Sequence, residues 1–272
     1  MRTYHQLLSL SKTSVIDILF GLIFTILLTS SKVHAGISVS PLSATLNLKD
    51  GRTHLLTVSN TNPSQPVAIR VKALAWQLDQ QGKDIRRPTN DLVFFPMQFI
   101  LPGGARRAIR IGPRDHIAPA LELSYRVMVQ EVPVDLQGKN QVHTGVKLIT
   151  SYATAFYIAP NKPQSKLAIT KTTVNQKQLN FTLINSGNAH THLRKLSIMI
   201  LQGDLEYLID DPQALKSIYN ENLLSKAQRH FTYFWPEALR KSIDMQAPMV
   251  LTLTVNCESC GGIPTVLNAN IP

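Results

Sequence analysis

The two cysteines have a spacing that could support chemistry. Cys257 and Cys260 form a C-x-x-C pair, and the chain of 272 residues has no other cysteine. This spacing suits a redox site, half of a zinc site or a local disulfide. A redox pair is expected at a helix N-terminus, but this pair follows an apolar strand pattern and precedes two glycines. The pattern therefore favours a structural disulfide between Cys257 and Cys260.

No other motif indicates an enzyme. His190 and His192 share one side of a predicted strand, but a metal site needs three or four ligands and the sequence suggests no third. The chain lacks the G-x-S-x-G, H-E-x-x-H and phosphate-binding glycine patterns. We therefore predict no catalytic residues, no metal site and no cofactor, which leaves an enzyme only as a dispersed site.

The chain is basic, with 28 Lys and Arg residues against 17 Asp and Glu residues. Such an excess suits acidic protein partners, nucleic acid or anionic lipid. The densest basic clusters are the pairs Arg86-Arg87 and Arg106-Arg107. Because no longer basic block is present, we predict that the protein does not bind nucleic acid.

The N-terminus has the features of a secretory signal peptide. Arg2 and Lys12 precede an apolar run at 18–28, and Val33 and Ala35 occupy the small-residue positions of a cleavage site. We predict that residues 1–35 are a signal peptide that is cleaved after Ala35, with an uncleaved anchor as the alternative. Export also favours the disulfide, because disulfides form in oxidising compartments.

Short segments of alternating apolar residues fill the rest of the chain, with turn signals about every ten residues. In the clearest segment, four residues share one face: Val67, Ile69, Val71 and Ala73. Two prolines among polar residues mark a linker at 159–165. We predict an all-β chain of two immunoglobulin-like β-sandwich domains in tandem, at 36–160 and 161–272. The segment 211–226 predicts a short helix or a loop.

Four stretches, in this order, resemble the PapD-like periplasmic pilus (fimbrial) chaperones. They are 55–61 (LLTVSNT), 92–111 (LVFFPMQFILPGGARRAIRI), 125–133 (YRVMVQEVP) and 185–193 (NSGNAHTHL). The resemblance implies two sandwich domains in an L or boomerang shape. It also implies a periplasmic protein that binds pilus subunits by donor-strand complementation and delivers them to an outer-membrane usher.

The resemblance places the donor strand at 145–158. With a period of two, the residues that would fill the subunit's pockets are Val146, Leu148, Thr150 and Tyr152. Leu148 and Ile149 are adjacent apolar residues, so either both faces are buried or a bulge shifts the register. An ordinary core strand would show the same pattern. An exposed donor strand also predicts that the free protein could associate with itself.

The resemblance further implies a cationic anchor for the carboxylate at the subunit's C-terminus. In the best-studied branch an Arg and a Lys serve this role, and their positions match Ser43 and Ala155 here. Both charges are therefore missing. Arg126 is the predicted anchor, as in the similar archaic branch, and Arg110 is a second candidate.

The joint between the domains also departs from the family. Glu122 matches an acidic residue of the family's interdomain ion-pair network. The basic partner position is Ala159, which carries no charge. The family's network is therefore not expected to form in the same way.

Two other functions fit an exported all-β chain. A structural or adhesive pilus component would carry an N-terminal donor extension, whereas here the first strand directly follows Ala35. A secreted immunoglobulin-like binding module is also open, although Trp76 and Trp235 are too few to indicate an aromatic platform for sugars. The order of the four stretches favours the chaperone.

Overall fold

The computed structural model describes residues 36–134, 149–175, 177–244, 246–256 and 265–271. The predicted signal peptide, Cys257 and Cys260 lie outside the described residues. Nearly every described element is a β-strand, which confirms the prediction of an all-β chain. In this part of the chain no helix is both long and apolar enough to cross a membrane.

The first domain is a sandwich of two sheets. Its strands are β1 (Ile37–Ser40), β2 (Ser43–Leu46), β3 (His54–Asn60), β4 (Val67–Leu78), β5 (Asp84–Pro88), β6 (Leu92–Phe95), β7 (Gln98–Leu101), β8 (Arg106–Pro113), β9 (Leu123–Val132) and β10 (Ser151–Ile158). One sheet has the order β1-β3-β8-β6, and the other has the order β2-β10-β9-β4-β5, with β7 also paired to β4. Strands β2 and β10 run parallel, whereas their neighbours in this sheet pair antiparallel.

Alternation along β4 and β9 determines which side chains reach the core. Ile69, Val71 and Ala73 are buried and Val67 packs against the same core, as the period of two predicted. In β9, Tyr125 and Val127 are buried in that core as well. The residue between them therefore lies on the outward face of the sheet, and that residue is Arg126.

The second domain is also built from packed sheets. Its elements are β11 (Leu167–Val174), β12 (Gln178–Asn185), β13 (Thr191–His192), β14 (Arg194–Gln202), β15 (Leu205–Ile209), β16 (Asn222–Leu223), β17 (Gln228–Phe234), α1 (Glu237–Ser242), β18 (Met249–Asn256) and β19 (Thr265–Ile271). The sheet orders are β11-β12-β17, β13-β16 and β15-β14-β18-β19. The described part therefore shows two tandem sandwiches, the first ending its strands at Ile158 and the second beginning them at Leu167.

The segment 212–220 consists of turns, so the short helix considered for 211–226 does not form. Leu215 and Ile218 are both fully buried in the core of the second domain. Burial of these two side chains directs the chain here, and the intrinsic helix signal of Asp-Pro is too weak to override it. The one described helix of this domain, α1, lies further along the chain.

One buried asparagine in each domain ties loops to strands. The Asn60 amide nitrogen donates to the carbonyl oxygens of Gln65, Leu101 and Pro102 at 2.8, 3.1 and 3.1 Å. In the second domain, the Asn185 amide nitrogen donates to Ala189 O at 2.8 Å, and its oxygen accepts from two backbone N–H groups. Because buried backbone groups need partners, these two side chains replace water in the loops.

Replacing Asn185 with alanine should lower the free energy of unfolding of the second domain by about 2 kcal/mol, because several buried backbone groups lose their partner. Urea unfolding followed by the fluorescence of Trp235, which is buried in the same domain, measures this loss. The matched control is Asn180→Ala, since the Asn180 side chain is only half-buried and, among the described residues, bonds to other side chains only. Equal losses for the two variants would contradict the prediction.

Candidate functional site

The predicted anchor lies in one cross-strand row with the two positions from which charge is missing. Ser43 on β2 pairs with Ala155 on β10, Ala155 pairs with Arg126 on β9, and Arg126 pairs with Leu74 on β4. We call these four residues the anchor row. Because the row runs straight across the sheet, the three positions Ser43, Ala155 and Arg126 lie at the same height along their strands. A cation at Arg126 therefore stands beside the two positions from which the family's charges are missing.

Arg126 is supported on the outward face of the sheet by an aromatic ring and an acid. Its Cζ lies 3.6 Å from the centroid of the Trp76 ring, a cation–π stack. Its Nη2 is 3.5 Å from Asp84 Oδ1, and its Nε is buried without a hydrogen-bond partner in the described residues. The Arg126 side chain is 21 % exposed, so the guanidinium is partly dry yet reachable.

Asp84 is held by several donors at once. Its Oδ1 accepts from Trp76 Nε1 at 2.8 Å, and its Oδ2 accepts from Arg86 Nε at 3.0 Å. Burial raises the pKa of the Asp84 carboxyl, but the hydrogen bond from Arg86, the charge of Arg126 and the bond from Trp76 outweigh it and leave the pKa below its usual value. Asp84 is therefore a carboxylate near neutral pH.

Arg110, the second candidate, lies on the other sheet of the first domain. It is exposed on β8, where Leu55 of β3 and Phe95 of β6 are its direct cross-strand neighbours. Both neighbours are exposed as well. The structure therefore does not bring Arg110 and Arg126 into one site.

The predicted donor strand is described only from Ile149 onward, and Val146 and Leu148 lie outside the described residues. Thr150 donates its backbone N–H to Glu131 Oε2 at 3.4 Å. Tyr152 faces the core of its own domain, and its hydroxyl donates to Ile37 O at 3.1 Å. At this end of the segment, the face that includes Tyr152 thus packs inside the first domain rather than outside it.

Strand β10 has an open edge over its first half. Strand β2 pairs with Ala155–Ile158, whereas Ser151–Thr154 pairs with β9 alone in the part of the chain that the structure describes. An unpaired strand edge presents backbone donors and acceptors that another strand can complete. This is the property that a strand donor requires.

The interdomain joint is built on a buried acid, although Ala159 supplies no cation. Glu122 of the first domain accepts from the His190 backbone N–H at 3.0 Å and lies 2.8 Å from His190 Nδ1. The Glu122 side chain is 1 % exposed. Sequence reasoning found Glu122 but missed its partner, because His190 is 68 residues away, in the second domain.

Aromatic stacking completes the joint. The Tyr157 ring stacks on the His190 ring with centroids 3.6 Å apart, and the centroids of the Tyr157 and Trp76 rings are 6.0 Å apart. Leu224 of the second domain joins Trp76, Ala155 and Tyr157 in one small apolar cluster. Burial is the main cause that raises the pKa of Tyr157, so this phenol stays neutral at physiological pH.

The histidines that could have begun a metal site are used differently. His190 Nδ1 faces Glu122, and the rings of His190 and His192 meet edge to face at 5.4 Å. Among the described residues no group of three or more His, Cys, Asp or Glu side chains is arranged to hold a metal ion.

Comparison with known proteins identifies the architecture. Residues 36–164 match the family described as pili and flagellar-assembly chaperone, PapD N-terminal domain. A comparison with curated protein sequences found no significant match. Among solved structures, the class 5 fimbriae chaperone CfaA is 16 % identical with a TM-score of 0.55, over 87 % of this chain and 99 % of CfaA.

A second similar structure is the complex of the chaperone CsuC with the tip subunit CsuE, from the archaic chaperone–usher Csu pili of Acinetobacter baumannii. The matched chain is 13 % identical with a TM-score of 0.56, over 86 % of this chain and 98 % of that one. A chaperone–tip adhesin complex of CFA/I fimbriae biogenesis matches at 18 % identity and a TM-score of 0.55, over 86 % and 99 % of the two chains. At these identities the likeness establishes the fold.

Proposed function

We propose that this chain, whose residues 36–164 match the family of pili and flagellar-assembly chaperones, is such a chaperone and holds pilus subunits by strand donation with Arg126 as the carboxylate anchor. The matched family is one of chaperones, and the proposed function requires no catalytic residue. The observation that carries the anchor is the anchor row, because Arg126 shares it with Ser43 and Ala155. Arg126 thus supplies a positive charge in the row in which the family's usual Arg and Lys are absent.

The physical problem of such a subunit explains the proposed mechanism. An immunoglobulin-like fold without its last strand exposes an apolar groove and unpaired backbone groups, and both are unfavourable in water. The open edge of β10 and the segment before it would supply the missing strand, with ladder hydrogen bonds for affinity and alternate side chains for pocket filling. Arg126 would fix the register by binding the terminal carboxylate in a bidentate way.

The location and the later steps complete the proposal. PapD-like pilus chaperones are periplasmic, and cleavage of the signal peptide after Ala35 would deliver this chain there. The oxidising periplasm would allow the Cys257–Cys260 disulfide to form. An outer-membrane usher would then exchange the donated strand for the extension of the next subunit.

A co-expression experiment tests the function. Candidate pilus subunits from the same source would be expressed in the periplasm with and without this protein, and their solubility and co-purification measured. We expect at least one subunit to become soluble and to co-purify in a one-to-one complex. If every subunit behaves identically with and without this protein, the chaperone function is wrong.

A pair of neighbouring substitutions reads the register of the donor strand. Leu148→Glu and Ile149→Glu place the same charge on opposite faces of a strand, because side chains alternate with a period of two. The predicted register requires Leu148→Glu to weaken subunit binding at least tenfold, through a charge in an apolar pocket, and Ile149→Glu to have a smaller effect. The inward position of Tyr152, which shares a face with Leu148 in a regular strand, and the exposure of Ile149 favour the reverse order. Titration calorimetry with the co-purified subunit gives the dissociation constants of both variants. A larger loss of affinity for Ile149→Glu than for Leu148→Glu would show that the register is shifted by one residue.

A further inference from the structure

Trp76 and Asp84 contact Arg126 from the same sheet, yet neither was a candidate site residue in the sequence. We propose that Trp76, held in place by Asp84, is a positioning residue that fixes the Arg126 guanidinium for a peptide carboxylate. This inference rests on the proposed role of Arg126 as the anchor. It extends that role from one charged residue to a built receptor of three.

The ring, rather than the acid, is the main support of the guanidinium. Arg126 Cζ lies 3.6 Å from the centroid of the Trp76 ring, well within the range of about 6 Å for a cation–π contact. The Nη2 to Asp84 Oδ1 distance of 3.5 Å is longer than the roughly 2.7–2.9 Å of a strong charge-assisted bond. A guanidinium held by its flat face keeps its N–H edges available for a second carboxylate.

The ring in turn is fixed by Asp84. Trp76 Nε1 donates to Asp84 Oδ1 at 2.8 Å, which restricts rotation of the indole. Asp84 reaches this place because β4 and β5 form a hairpin in which Leu78 pairs with Asp84. The turn of this hairpin contains Gly82 at φ 82°, a left-handed conformation that favours glycine. Arg86 occupies the other carboxylate oxygen, so Oδ1 is left for the indole.

The surroundings suit a carboxylate at the end of an extended chain. Trp76 is 3 % exposed, so the face of the ring is covered and the stack is largely shielded from water. Next to Arg126 in the anchor row, Ala155 has only a methyl group, so it supplies no charge that would compete with Arg126 for the carboxylate. A lysine at position 126 would neither stack flat nor bind in a bidentate way. The site therefore selects a planar anion, and a peptide C-terminus is one.

Two variants of Asp84 isolate the tether. Asp84→Asn and Asp84→Ala remove the same negative charge, but only asparagine keeps an oxygen that accepts from Trp76 Nε1. The probe is an acetylated tripeptide with a free C-terminal carboxylate, titrated against the full-length exported protein and followed at the Arg126 Nε–H resonance by NMR. We expect the Ala variant to bind about fivefold more weakly than the Asn variant, and the amidated tripeptide not to shift the resonance.

The Trp76→Phe background supplies the control. Phenylalanine keeps an aromatic face but has no N–H to donate, so the difference between the two Asp84 variants should disappear there. Equal binding by the two Asp84 variants with Trp76 present would overturn this proposal. The Arg126→Ala variant has no such N–H group, so its binding of the free and amidated tripeptides is measured by calorimetry. If this variant loses the preference for the free acid while the two Asp84 variants bind equally, only the positioning role fails. If Arg126→Ala keeps that preference, or the wild type shows none, the anchor role fails with it.

Discussion

Replacing Arg126 with alanine should abolish co-purification of a pilus subunit while the protein itself stays folded. Arg126 lies on the outward face of its sheet, whereas the side chains on either side of it in β9 form the core. Removing one partner of a largely buried, hydrogen-bonded charge pair costs about 2–5 kcal/mol, which is roughly a 30-fold to several-thousand-fold loss of affinity. Surface plasmon resonance with a captured subunit measures the loss, and circular dichroism confirms the fold.

Two further variants separate charge from geometry and from location. Arg126→Lys keeps the charge but loses the flat stack on Trp76, so we expect it to bind between the wild type and the alanine variant. Arg110→Ala removes an exposed cation from the other sheet and should leave carboxylate binding unchanged. If the Arg126→Ala variant still captures the subunit fully, or if only the Arg110→Ala variant loses capture, then Arg126 is not the anchor.

Replacing His190 with alanine should lower the free energy of unfolding by about 3 kcal/mol. The Glu122 side chain is 1 % exposed and loses its only side-chain partner in the described residues, so a buried carboxylate is left with the backbone N–H of residue 190 alone. Removing one partner of a buried ion pair lowers the stability more than replacing both partners with apolar residues. Differential scanning calorimetry measures the loss, and we also expect the two domains to unfold in more widely separated transitions.

The double variant Glu122→Leu with His190→Leu is the matching control. It removes both polar groups and should be more stable than the sum of the two single losses predicts, because no buried charge remains unpaired. Strictly additive losses would show that Glu122 and His190 stabilise the joint independently.

Local patterns in the sequence predicted the scaffold well. The alternation from Val67 to Ala73 predicted the buried face of β4, because the pattern follows directly from the pleat of a strand. The structure of segment 211–226 was harder to predict, because its turns depend on the burial of Leu215 and Ile218 in a core formed by residues far away in the sequence. Propensity along the chain carries no information about that core.

Some features of the candidate site could likewise be inferred from local sequence, and others could not. The sequence could offer Arg126 as a candidate anchor because this residue stands between two apolar residues of one strand, in a stretch that resembles the family. The Glu122–His190 contact joins two domains, and the support by Trp76 and Asp84 depends on a hairpin that the sequence analysis did not predict. Contacts of this kind depend on how elements pack, and no spacing along the chain specifies them.

The anchor row has a consequence for the length of the bound subunit. Neighbouring strands are about 4.8 Å apart, so a charge on β9 is set back one strand from Ala155 and two strands from Ser43. With Arg126 as the proposed anchor, the terminal carboxylate would have to penetrate further across the sheet, or the long arginine side chain would have to extend back toward the edge. Subunits that this protein binds should therefore differ from those of the Arg-and-Lys branch in how many residues follow their last groove-forming strand.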